Sequence, residues 1–64
     1  MTYDSLTPRQ WQVIDLVSKG LKNQEIALQM GITRLVVTNY LRVIMDLTGM
    51  NSRLELAMWY VRRQ

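Results

Sequence analysis

The 64-residue sequence contains no cysteine and no histidine, and it has one proline and three glycines. The missing cysteine excludes disulfides and thiol nucleophiles, and the two absences together remove the usual ligands of zinc sites. The missing histidine also excludes every general base or catalytic triad that is built on imidazole. The five acidic residues are too scattered to pair in a site, and no glycine-rich phosphate loop occurs. We therefore expect no enzyme activity, no metal and no cofactor.

The overall composition indicates one small ordered domain. With 48% hydrophobic residues, the chain has the apolar surface that disordered segments lack. A chain of about 60 residues buries only about 60% of its unfolded surface, so a second subunit is the remaining source of added stability when disulfides and metals are absent. The net charge of +3 favours an acidic partner only slightly. We predict a single domain over residues 1–64.

The sequence shows no targeting segment and no membrane span. An acidic residue stands near the N-terminus, where a secretory peptide would have lysine or arginine. The longest apolar run, residues 56–61, is far shorter than the roughly 20 residues that a transmembrane helix needs. We expect a cytoplasmic protein with no membrane partner and no small-molecule ligand.

Helix signals recur along the chain between turn residues. Thr7 and Gln10 form a capping-box pattern, with Pro8 at the first helical position, and Gly20 ends this first helix. A short second helix is predicted from about residue 23 to residue 30, and Gly31 stops it.

The remaining turn residues delimit two more helices. Thr33 caps the third helix and Gly49 ends it. Ser52 and Glu55, three residues apart, predict a capping box for a last helix. The sequence therefore predicts an all-α domain of four helices.

Apolar residues at helical spacing predict one core. The predicted stripes are Val13, Ile14 and Val17 on the first helix, and Val37, Leu41, Ile44 and Thr48 on the third. We expect Trp11 and Leu28 to cover the edge of this core.

A short helix, the turn Gly31-Ile32-Thr33 and a longer helix form the pattern of a helix-turn-helix, since a short turn with glycine sets two helices at a steep angle. The major groove of B-DNA admits one α-helix, and the second helix of such a pair offers its polar side chains to base edges. The third helix has a polar side made of Arg34, Thr38, Asn39, Arg42 and Asp46. The pattern favours double-stranded DNA as the partner, and the alternative is an ordinary solvated face.

Several motifs along nearly the whole chain occur in the same order in one known family. They are Leu6-Thr7-Pro8-Arg9, the run Gly-Leu-Lys-Asn-Gln-Glu-Ile-Ala at residues 20–27, Gly31-Ile32-Thr33, then Val37, Asn39, Leu41, Ile44, Met45 and Gly49, and finally Ser52-Arg53-x-Glu55. In these motifs the chain resembles the LuxR/FixJ/GerE-type helix-turn-helix domains. The resemblance implies a four-helix domain without a wing, acting as a bacterial DNA-binding transcription regulator. We predict a stand-alone regulator of this type, and the alternative is a fragment of a longer regulator.

The resemblance also implies, position by position, that Thr38, Asn39 and Arg42 face the major groove. Side-chain chemistry agrees, because arginine forks onto guanine and asparagine onto adenine. Arg34, beside the Thr33 cap at the positive end of the helix, suits a phosphate. Phosphate contacts are also expected at the start of the second helix, from Lys22, Asn23 and Gln24.

The chain departs from the family at the groove-facing helix. Leu35 and Thr38 stand where the family usually has lysine, and Tyr40 stands where it usually has histidine. Each lost phosphate contact releases fewer counterions, so we expect a DNA affinity below that of a typical member.

The last helix is apolar nearly all round, which is more than a single small core can bury. We predict a homodimer seam made of Leu56, Met58, Trp59 and Tyr60, and the alternative is that these residues only pack in the core. Twofold symmetry would match a pseudo-palindromic site whose half-sites lie about one DNA turn apart.

The missing lysines support a second hypothesis of a different class. The domain would then be an interaction module that does not bind DNA. It would heterodimerise through its last helix with full-length LuxR-type regulators and hold them inactive.

Overall fold

The computed structural model describes residues 6–63, and within this range the chain forms four α-helices and no β-strand. α1 spans Pro8–Ser18, α2 spans Asn23–Met30, α3 spans Arg34–Thr48 and α4 spans Arg53–Arg62. The predicted all-α class with four helices and no wing is confirmed for these residues. None of these helices combines the length and the apolarity needed to cross a membrane. Residues 1–5 and 64, which the predicted single domain includes, lie outside the described residues.

The helix starts follow the predicted caps, with one difference. Thr7 Oγ1 accepts a hydrogen bond from the Gln10 N–H at 3.2 Å, and Gln10 Oε1 accepts one from the Thr7 N–H at 2.8 Å, so this capping box is complete. At α4, Ser52 Oγ accepts from the Glu55 N–H at 3.1 Å as predicted. The Glu55 carboxylate, however, accepts from the Asn51 N–H at 2.7 Å. The Glu55 carboxylate therefore fixes the backbone of Asn51, the residue before the Ser52 cap.

The core lies where the apolar stripes of the helices meet. The buried apolar residues are Leu6, Val13, Ile14, Leu16, Val17, Ile26, Ala27, Val37, Leu41, Ile44 and Leu56. The predicted stripes of α1 and α3 are confirmed, including Thr48, which is 3% exposed. Its hydroxyl donates to the Ile44 carbonyl at 2.8 Å, so the buried polar group is satisfied within α3.

One prediction about the edge of the core is wrong. Trp11 is half-buried against the core as expected, but Leu28 is 77% exposed. The reason is the helical period. Ile26 and Ala27 occupy the inward side of α2, and Leu28 follows on the outward side.

The α2–α3 turn depends on a left-handed backbone conformation. Gly31 has φ 69° and ψ 35°, a region that costs a residue with a Cβ about 1–2 kcal/mol. The Ile32 N–H donates to the Ala27 carbonyl at 3.0 Å, which closes the end of α2. Thr33 then caps α3 with its side chain, so the whole reversal takes three residues.

We expect the variant Gly31→Ala to lower the free energy of unfolding by about 1–2 kcal/mol, because alanine is strained at this φ. A Cβ at position 31 would meet nothing within 4 Å, so the loss would be a backbone effect. Gly31→Asn should recover part of the lost stability, since asparagine tolerates the left-handed conformation. Urea unfolding measures the free energy of unfolding of the wild type and both variants, with Gln29→Ala on the exposed side of α2 as control. Equal stability of Gly31→Ala and wild type would contradict the prediction.

Candidate nucleic-acid interface

The outward side of α3 is set by what the helix buries. Val37, Leu41, Ile44 and Thr48 face the core. At 3.6 residues per turn, the opposite side is then formed by Leu35, Asn39, Arg42 and Asp46, all of which are exposed. We call the line from Leu35 through Asn39 to Arg42 the α3 outer face. The predicted groove-facing residues Asn39 and Arg42 thus lie one turn apart on one surface, and Thr38 is exposed at its edge.

The first turn of α3 is held in place by two hydroxyl groups. Thr33 Oγ1 accepts from the Val36 N–H at 3.2 Å, which confirms the predicted cap. Thr38 Oγ1 donates to the Arg34 carbonyl at 3.1 Å. The Thr38 oxygen therefore keeps its acceptor capacity toward a partner, while its proton is used within the helix.

Arg34 lies at the position that an anion would favour. It is the first residue of α3, it is exposed, and it follows the cap directly. The unpaired N–H groups and the dipole of a helix N-terminus attract negative charge there. Asp46, by contrast, is exposed three turns further along α3, and its carboxylate disfavours a nearby phosphate. Both arginines of α3, Arg34 and Arg42, thus lie on the N-terminal side of this carboxylate.

The start of α2 combines two different roles. Lys22 and Gln24 are exposed, as a phosphate contact requires. Lys22 has no side-chain capping bond, and its N–H donates to the Glu25 carboxylate at 2.7 Å. Asn23 is half-buried, and its Oδ1 accepts from Arg53 Nη1 at 2.5 Å. The structure therefore gives Asn23 an internal contact that the sequence did not suggest.

Arg53 is the residue that sequence reasoning missed. Its guanidinium binds Asn23 with one nitrogen and donates to the Leu21 carbonyl with the other, at 2.6 Å. The fork geometry of arginine allows both bonds at once. Arg53 thereby ties the first residue of α4 to the turn that precedes α2. Partners 30 and 32 residues away in sequence leave no local pattern that would have predicted this contact.

The residues predicted as a dimer seam divide into three groups. Leu56 is 0% exposed, so the prediction that it contacts a second chain is wrong. It faces α1 and the core because it lies on the inward side of α4. Trp59 and Tyr60 are half-buried against α1, and Met58 is 47% exposed.

An aromatic cluster fixes the packing of α4 on α1. The Trp11 and Trp59 rings stack with centroids 5.8 Å apart and an interplanar angle of 14°. The Arg63 guanidinium lies 4.7 Å from the centroid of the Trp11 ring and 5.2 Å from that of Trp59. Tyr60 Oη donates to Asp15 Oδ1 at 3.1 Å, and Lys19 pairs with the same carboxylate at 3.0 Å. Trp59 and Tyr60 thus contribute to the fold of one chain.

A different set of α4 residues stays exposed. Leu54, Met58 and Val61 recur at spacings of four and three, so they form one stripe opposite Leu56. We call this stripe the α4 strip. Together with Ser18 and Ala57, it lines a shallow apolar depression between α1 and α4.

We expect Arg53→Ala to lower the free energy of unfolding by about 1–3 kcal/mol, because it leaves a half-buried amide and carbonyl without their charged donor. Asn23→Ala and the double variant complete a thermodynamic cycle. The two substitutions should couple by at least about 0.5 kcal/mol in urea unfolding. Arg62→Ala, an exposed arginine of the same helix, is the matched control and should change little. Strict additivity of the two substitutions would show that the Arg53–Asn23 contact contributes nothing.

No group of side chains in residues 6–63 is suited to holding a metal ion. The features that these residues do place together are an exposed helix N-terminus, two arginines and an asparagine on or beside one helical side.

Comparison with known proteins agrees with this geometry. Residues 4–60 match the GerE domain, described as bacterial regulatory proteins of the luxR family. The chain is 43% identical over 56 residues to the two-component response regulator PprB of Pseudomonas aeruginosa, an alignment that covers 88% of this chain and 20% of that protein. It is 48% identical over 50 residues to the response regulator Rre1 of Synechocystis, covering 78% of this chain and 22% of that protein.

The chain thus spans about a fifth of the length of these curated relatives. The luxR-family helix-turn-helix is a DNA-binding regulatory domain and not an enzyme family. The match covers the helix-turn-helix, the aromatic packing of α1 on α4 and the cap of each helix. The chain belongs to the luxR family of bacterial regulatory proteins.

Proposed function

We propose that the domain regulates transcription in the bacterial cytoplasm by inserting α3 into the major groove of a specific DNA sequence. Thr38, Asn39 and Arg42 make the base contacts. The observation that carries the proposal is the α3 outer face. Arg42, which can pair with guanine, and Asn39, which can pair with adenine, lie exposed there on one helix whose other side is buried. A turn of three residues holds that helix outward from α2.

Phosphate contacts position the helix in this proposal. Arg34 and Thr33 lie at the start of α3, and Lys22 and Gln24 lie exposed at the start of α2. The N-termini of two helices are suited to the two phosphate backbones that border a groove. Asn23 contributes indirectly, because its carbonyl oxygen orients Arg53 and so fixes the start of α2.

We expect Arg42→Ala to weaken binding to the preferred duplex by about 1–3 kcal/mol and to relax the base preference at one position. Arg34→Ala should weaken binding to all sequences alike and lower the salt slope by about one. Fluorescence anisotropy of a labelled duplex at several salt concentrations measures both effects. Arg62→Ala removes the same charge from α4 and is the control. Equal losses of DNA affinity in Arg42→Ala, Arg34→Ala and Arg62→Ala would contradict the assignment of Arg42 to a base contact.

The domain acts on DNA as a homodimer in our proposal, with the α4 strip as the contact between two copies. Leu54, Met58 and Val61 are the apolar residues of α4 that one chain leaves in water. They replace the seam of Leu56, Trp59 and Tyr60 that the sequence suggested, and Met58 belongs to both sets. A twofold pair would present two α3 helices to half-sites about one DNA turn apart.

We expect Met58→Glu to abolish self-association, because it places a charge in the middle of the α4 strip. Sedimentation equilibrium, with and without a duplex of two half-sites, measures the number of copies. Leu28→Glu puts the same charge on an exposed leucine of α2, outside the α4 strip, and should leave the number unchanged. One wild-type copy per duplex would overturn the homodimer.

The exposure of Leu35 and of the α4 strip favours a second candidate function. A domain with apolar residues at both sites, and without lysine at positions 35 and 38, is also suited to pairing with a full-length LuxR-type regulator and inactivating it. The two functions differ in the anisotropy experiment. A folded wild-type protein that binds no duplex even at low salt would exclude the DNA-binding regulator and leave the interaction module. In that case Met58→Glu should abolish the inactivation of the full-length regulator, and Arg42→Ala should not.

A further inference from the structure

Leu35 is a highly exposed apolar residue whose neighbours are mostly polar. It is the second residue of α3 and its side chain is 69% exposed, although the core lies on the opposite side of the helix. Its exposed neighbours along the chain and on the next turn are Arg34, Val36, Thr38 and Asn39, and the apolar one among them, Val36, is much less exposed, at 38%. Leu35 is therefore not part of the core, and its exposure to water is a cost that the free domain retains.

The position of Leu35 restricts what can cover it. It stands at the start of the α3 outer face, in line with Asn39 one turn later and Arg42 two turns later. A molecule that binds Asn39 and Arg42 along this face must also approach Leu35. If that molecule is DNA, the face meets base edges in the major groove, where the apolar group on offer is the C5 methyl of thymine.

We infer that Leu35 is a specificity-determining residue that packs on the methyl group of a thymine in the recognised sequence. The inference rests on the proposed DNA-binding function and adds a contact to it. Where the family usually has a lysine, Leu35 provides an apolar contact. It therefore distinguishes thymine from cytosine by the methyl group and not by hydrogen bonding.

The helix geometry also places this thymine. Seven residues separate Leu35 from Arg42, which is about 10.5 Å along the helix at about 1.5 Å per residue. Base pairs follow one another at about 3.4 Å. Because α3 is inclined to the DNA axis when it follows the groove, the thymine read by Leu35 lies within about three base pairs of the guanine read by Arg42.

The exposed Leu28 provides the natural control. It is 77% exposed, but it lies on α2 and not on the α3 outer face. Leu28→Ala and Leu35→Ala remove the same atoms from equally accessible sites. Both variants should fold like wild type by circular dichroism and urea unfolding, because neither leucine contributes to the core.

The test uses duplexes selected by the wild-type protein from a random pool. Each thymine of a selected half-site is replaced, one at a time, by deoxyuridine, which lacks only the methyl group. At one position, within about three base pairs of a conserved guanine, we expect wild-type affinity to fall about fourfold, the size of one buried methyl group. Leu35→Ala should bind the thymine and deoxyuridine duplexes equally. Leu28→Ala should keep the fourfold difference.

The possible outcomes separate the two proposals. If the wild type selects no duplex, the proposed DNA-binding function fails and the inference on Leu35 fails with it. If it selects duplexes but no deoxyuridine position matters, or if Leu35→Ala keeps the wild-type difference, DNA binding stands and the thymine contact is overturned. Loss of the difference in Leu35→Ala alone supports the contact.

Discussion

The burial of one stripe of α3 is the constraint on which the rest of the molecule depends. Val37 and Ile44 are completely inaccessible, and Leu41 and Thr48 nearly so. A helix anchored along one side in this way cannot rotate, so the residues at 35, 39 and 42 have no orientation other than outward. The packing that stabilises a small domain and the display of a polar helix face are therefore two consequences of one arrangement.

The other half of the domain keeps that helix in position without contributing to its outer face. α4 packs on α1 through Leu56 and the stacked Trp11 and Trp59 rings, and Arg53 joins its first turn to the start of α2. Arg53 reaches both an amide oxygen and a backbone carbonyl, so it fixes the turn in two directions. In a domain without disulfides, such long-range polar contacts supplement a core of about a dozen side chains.

The features that sequence alone predicted are those with local causes. Caps such as Thr7 with Gln10 act over three residues, and Gly31 and Gly49 end helices through their own backbone conformation, so the four helices followed from spacing. The sequence also indicated α3 as the polar helix, because its apolar stripe is regular. The faces of α4 were not predictable in this way, since residues 54–61 are apolar on most sides. Only the contact with α1 decides that Leu56 is buried while Met58 is exposed. Arg53 could not be assigned because its partners are about 30 residues away.

The two departures from lysine on α3 affect general and specific binding differently under the proposed function. Phosphate contacts strengthen every DNA complex by a similar amount, whatever the sequence, whereas base contacts strengthen only the correct one. With Leu35 and Thr38 in place of cations, the affinity for DNA of any sequence falls. A thymine contact from Leu35 then stabilises the complex with the specific sequence alone. The ratio of specific to general binding therefore rises while a single α3 binds weakly. In the proposed homodimer a second copy supplies the missing affinity, because linking two half-site contacts makes the second one intramolecular. Under this proposal the α3 outer face and the α4 strip depend on each other: weak, selective half-site recognition requires a dimer, and the exposed apolar strip on the last helix is the surface proposed to form it.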